Sequence, residues 1–199
     1  MNPSTEESEV NSRAIATVAV FAALTVALNL SSFKIPAPYA PFLYYQIWEI
    51  PIVTAFLLFG PLIGLYVSVI NTIVLLAYFP GDLPVGPLYN LAAILGMLLG
   101  IYIAQSLIIK GSSIKNELSI VLLYTGFGAV SRVLIMSVVN WTFLRYPYPI
   151  GFGLPEEALV MMSPVIGFFN ATLALYTIPV GYILARAVSY SIKAKGWST

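Results

Sequence analysis

Phe79-Pro80-Gly81-Asp82-Leu83-Pro84-Val85-Gly86-Pro87-Leu88-Tyr89-Asn90 is a short polar turn between two long apolar runs. Three prolines and two glycines within it oppose a continuous helix, so the chain reverses here. The flanking runs, residues 62–79 and 88–109, are each close to the roughly 20 apolar residues that cross about 30 Å of hydrocarbon. A pair of membrane-crossing helices joined by this turn is the reading that decides the fold.

Composition agrees. The chain has 199 residues, 59% hydrophobic and 9% charged, with a mean hydropathy of +0.91. A soluble domain is about 25% charged, so residence in a lipid bilayer is the economical explanation. Net charge is +1 without a basic cluster, which argues against nucleic acid as a partner. Cysteine and histidine are both absent, removing disulfides, thiolate chemistry, the usual general base and imidazole ligation. No cofactor, metal site or catalytic residue is read from the sequence, and these absences lean against an enzyme.

Outward from the turn, the remaining segments fall into place. Residues 1–12 are polar and mildly acidic (Glu6, Glu7, Glu9) and are expected to form a disordered cytoplasmic tail. They lack the basic start of a signal peptide, so residues 14–30, entered at Arg13, should remain as a membrane helix. Residues 31–48 read as a loop, stiffened by Pro36, Pro38 and Pro41 and filled with aromatics suited to a membrane–water interface. Residues 49–59 are too short to cross alone, and Gly60-Pro61 marks a turn before the next run, although one long kinked helix is the alternative. Residues 110–117 form a hydrophilic connector, 118–144 another span, 145–157 a second outer loop, and 158–191 the last span.

The expectation is an all-α integral membrane protein, a six-transmembrane-helix bundle forming one domain over residues 13–192, with a short tail at 193–199. No fixed-period repeat is present. With six spans both termini share a side, and that side carries Arg13, Lys110, Lys115, Arg186, Lys193 and Lys195 against Lys34 and Arg145 opposite. Positive charge prefers the cytoplasm, so both termini are expected to be cytoplasmic.

Two helices carry small residues at four-residue spacing: Ala19, Ala23 and Ala27 in the first, and Ala92, Gly96, Gly100 and Ala104 in the fourth. Such stripes let backbones approach closely. Each reads either as packing within the bundle or as a docking face for another membrane protein.

Polar residues inside the apolar runs are costly and should face the bundle interior or water. Asn71, Asn90, Asn140 and Asn170 lie in four different spans, Glu49 heads another, and Arg132 lies well inside the fifth. At about 1.5 Å per residue, Asn71 is about 13 Å below the outer turn, Asn90 about 5 Å, Asn140 about 7 Å, and Asn170 about 15–20 Å. Four amides in the outer half suit hydrogen bonding to a neutral polar ligand entering from outside. The competing reading is interhelical glue, worth about 0.6 kcal/mol per bond. Glu49 also reads as an acid favoured at a helix N-terminus. No phosphate-binding loop and no carboxylate relay occurs, so uphill transport would need an outside energy source.

The run Glu49-Ile-Pro-Ile-Val-Thr-Ala-Phe-Leu-Leu-Phe-Gly-Pro-Leu-Ile-Gly64, followed by Asn71 and Pro84-Val-Gly-Pro-Leu-Tyr-Asn90, resembles the substrate-binding S components of energy-coupling factor (ECF) vitamin transporters. Its pattern is closest to the riboflavin-binding subfamily, with Val139-Asn140-Trp141 and Phe169-Asn170 resembling later signatures. The pattern departs at Gln46, Ile70, Pro87 and Leu173, where that subfamily carries charge.

The resemblance implies a multi-pass protein of a prokaryotic cell membrane that captures a vitamin-like small molecule, riboflavin first among them. It also implies a transmembrane coupling protein and two cytoplasmic ATPases as partners, with Ala19 and Ala23 as the docking motif. The amide cluster then reads as the lining of the site, Asn71, Asn90, Asn140 and Asn170 with Glu49 nearby. Arg132 matches nothing in the family pattern and reads either as a ligand contact or, more readily, as satisfying carbonyls or a carboxylate inside the bundle. Tyr44, Tyr45 and Trp141 supply apolar contact, and residues 31–48 form the lid. Two alternatives are an intramembrane lipid-modifying enzyme built on Arg132 with Glu49, Glu156 or Glu157, and a membrane scaffold whose helices merely pack.

Overall fold

The computed structural model describes residues 3–78, 82–111 and 116–194. Among them are six helices: α1 (Pro3–Leu30), α2 (Glu49–Phe59), α3 (Pro61–Tyr78), α4 (Gly86–Gly111), α5 (Glu117–Phe143) and α6 (Glu156–Ala194). Five are long and apolar enough to cross a membrane, and α2 is the short exception. The protein is a multi-pass membrane bundle, as the hydropathy requires. Three expectations fall partly outside the described residues: the opening turn at 79–81, the connector at 112–115 and the tail from 195.

Two segments differ from expectation. Residues 3–12 continue α1 as helix rather than forming a tail, so the helix outruns its apolar window, Ser12–Leu30. The 31–48 loop contains an antiparallel hairpin, β1 (Ile35–Ala37) and β2 (Ala40–Tyr45). The prolines exclude helix but tolerate an isolated two-stranded edge. Ala37 and Ala40 at its tip are buried against Phe169 and Leu173 of α6, so burial on a helix supplies what two strands alone lack.

α2 is the buried centre. Ile52, Val53 and Ala55 are wholly inaccessible, and the short helix packs with α3, α6 and α1. Eleven residues rise about 16 Å, half the hydrocarbon thickness. The turn reading at Gly60-Pro61 holds. Gly60 has φ +94°, a conformation that side-chain-bearing residues rarely adopt, and Pro61 opens α3 where a missing N–H costs nothing.

The α4 stripe serves packing. A Cβ on Gly100 would sit 2.2 Å from the Phe127 carbonyl oxygen, so α4 and α5 touch backbone to backbone there. The α1 stripe does the opposite: Ala19, Ala23 and Ala27 are exposed, while Ala22 and Thr25 on the other face are buried. At its start α5 is capped by Asn116, whose side chain accepts from the Leu118 amide. Arg186 of α6 pairs with Glu117 beside that cap.

Candidate functional site

A buried polar network joins three helices. Arg132 of α5 donates from Nη2 to Glu49 Oε1 at 2.9 Å and from Nη1 to Oε2. Its Nε donates to Asn170 Oδ1 of α6 at 3.0 Å. Glu49 and Arg132 are both buried and form a bidentate pair, the geometry that best offsets desolvation. Asn170 is satisfied at its other end too, since Nδ2 donates to the Ile166 carbonyl at 2.9 Å. Glu49 does head α2, yet its partner is the guanidinium.

Beside it an aromatic and hydroxyl clasp joins the hairpin to α6. The Tyr45 and Thr172 hydroxyls are 2.8 Å apart, and Tyr45 and Tyr39 share a hydrogen bond. The Tyr45 ring stands 5.1 Å from Phe169 and 6.2 Å from Tyr176. Tyr176 in turn donates to the Gln46 carbonyl. Burial raises the Tyr45 hydroxyl above its ordinary range, so it stays protonated and available as a donor at neutral pH. Tyr44, on the opposite face of β2, is exposed and has no part in the clasp.

The remaining amides separate by helix rotation, which depth alone does not give. Asn71 of α3 is 2% exposed, and its Oδ1 has no hydrogen-bond partner among the described residues. Asn140 is half-buried near the end of α5. Asn90 is exposed on α4 and does not join the others; its neighbour Tyr89 donates instead to the Ile150 carbonyl of the loop between α5 and α6. Trp141 is partly exposed, with the Arg145 guanidinium stacked 5.1 Å from its ring centre.

Two further amides, not placed at the site by the sequence, share this property of Asn71, as do the Thr25, Thr125 and Thr177 hydroxyls and Arg186 Nε. Asn29 Nδ2, near the C-terminal end of α1, and Gln46 Oε1, just before α2, are buried atoms without partners among the described residues. A polar side chain at the last turn of an apolar run was the available signal for Asn29. Asn71 Oδ1 and Gln46 Oε1 are acceptors and Asn29 Nδ2 is a donor, the kinds of group that pair with hydroxyls or amides. Among the described residues there is no cluster of three or more potential metal-binding side chains.

No protein-family model matches the chain. The fold is similar to that of the S component of a bacterial ECF transporter, with a TM-score of 0.72 over 92% of this chain and 99% of that one, at 22% identity. The class is therefore a multi-pass membrane protein with S-component architecture. Within it, the sequence is 27% identical over 150 residues to the riboflavin transporter RibU of Staphylococcus aureus (strain TCH60), covering 72% of this chain and 74% of that one. Both findings bear out the resemblance drawn from the sequence.

Proposed function

We propose that this chain is the substrate-binding S component of an ECF-type importer and that it captures riboflavin or a close relative from outside the cell. The observation that carries the proposal is the unpaired Asn71 Oδ1 inside a membrane bundle. Glue between helices requires a partner, and Asn170 has two while Asn71 Oδ1 has none. A buried polar atom without a partner costs about 1–3 kcal/mol, a cost that a ligand hydroxyl or amide would remove. The S-component fold and the similarity to a riboflavin transporter support the same reading.

Asn71, Asn29 and Gln46 are the foremost ligand partners, with Asn140 and Trp141 at the outer rim and Tyr45 in the lid. Asn170, Glu49 and Arg132 hold the site together from below, and exposed Asn90 and Tyr44 serve only at its margin. Both termini face the cytoplasm. Energy comes from a transmembrane coupling protein and two cytoplasmic ATPases, and the exposed Ala19–Ala23 face of α1 is the docking surface for the coupling protein. The test is extraction of small molecules from freshly purified protein, followed by mass spectrometry. A flavin at near-equal molar amount is the expected result, and a protein that neither carries nor binds a vitamin would end the proposal.

A further inference from the structure

We propose that Glu49 acts as a charge mask on Arg132, so that the site selects a neutral vitamin over its phosphate ester. The inference rests on the transport reading above and extends it to the charge state of the ligand. Among the described residues, Glu49 and Arg132 are the only charged side chains buried in the bundle. Both carboxylate oxygens are taken by Nη1 and Nη2, and Nε is taken by Asn170. The guanidinium thus has its charge cancelled and its donors directed at fixed acceptors.

No other described cation is placed to replace it. Lys34 is exposed in the hairpin segment, and Arg145 is exposed, stacked on Trp141 with its Nε donating to the Trp141 carbonyl. A phosphomonoester carries a charge of about −1.5 to −2 at neutral pH. Entering this interior it would lose its hydration without gaining a counter-charge, which is strongly unfavourable. The ring and hydroxyls of the neutral vitamin need only amides and aromatic contact, which are present. Removing the acid while keeping its shape would leave Arg132 charged and uncompensated, and an anionic ligand would then become the favourable partner.

The experiment titrates the purified full chain in detergent with riboflavin and with riboflavin 5′-phosphate, following quenching of flavin fluorescence. The wild type is expected to bind the phosphate at least about tenfold more weakly, a gap of about 1.4 kcal/mol. Glu49→Gln should shift that ratio at least about tenfold towards the phosphate, and Glu49→Gln with Arg132→Gln should restore the wild-type preference. A merely structural pair would lower both affinities together and leave their ratio alone. Equal wild-type affinities, or an unchanged ratio in folded Glu49→Gln, would overturn the mask while leaving the transport reading intact. Should the single variant not fold, the double variant decides, and loss of its preference for the neutral vitamin overturns the inference. Failure of the wild type to bind either flavin removes the transport reading and this inference with it.

Discussion

The Tyr45 hydroxyl lies 2.8 Å from Thr172 Oγ1, a contact across 127 positions that fastens the hairpin to α6. Tyr45→Phe removes it while keeping the ring against Phe169 and Tyr176. A hydrogen bond of this kind is worth about 0.5–1.5 kcal/mol. Hydrogen exchange should therefore rise several-fold in residues 35–45 with little change in the midpoint of thermal melting. Unaltered exchange there would show that the clasp does not hold the hairpin.

The Glu49–Arg132 pair should be asymmetric under mutation. Either residue replaced alone by Met leaves an uncompensated buried charge, at a cost of about 3–5 kcal/mol. Replacing both should recover most of that loss, because the double variant buries no charge. Thermal melts of the three variants give the comparison, and additive losses would contradict the pairing.

Two glycines of neighbouring helices provide a matched contrast. Gly100→Ala drives a Cβ into the Phe127 carbonyl and should cost about 1–3 kcal/mol through overpacking. Gly126→Ala meets nothing within 4 Å and should be neutral or stabilising by up to about 1 kcal/mol from helix propensity. Melting midpoints that move in the same direction would sink the account of α4–α5 packing.

The α1 stripe separates binding from coupling. Ala19→Leu with Ala23→Leu alters only an exposed face, so folding and ligand affinity should be unchanged. Vitamin uptake by cells carrying the energising subunits should fall at least about tenfold, as bulk replaces small residues on a close-packed face. Normal uptake would remove α1 as the docking surface.

What the sequence revealed follows from what is local. Apolar runs and proline–glycine punctuation located the helices, because span length and helix breaking need no knowledge of neighbours. The hairpin escaped, since Ala37 and Ala40 are buried only by α6, more than a hundred positions away. Depth along a helix was readable from residue counting, but rotation was not, so Asn90 and Asn71 looked equivalent until one proved exposed and the other buried. Glu49 and Arg132 stood out as the charged set, yet their pairing depends on α2 beginning deep in the bundle. Asn29 and Gln46 sit at the margins of apolar segments, where polar residues are ordinary, and only the absence of a partner distinguishes them.

The most direct measurement is a riboflavin titration of the purified wild type beside Asn71→Ala, with thermal melts of both. The wild type should bind one flavin per chain at submicromolar concentration, and Asn71→Ala should bind at least about tenfold more weakly while remaining folded, the loss of about one buried hydrogen bond. Riboflavin binding that is absent, or identical in the two proteins, would contradict the central claim that the unpaired amide of α3 waits for a ligand.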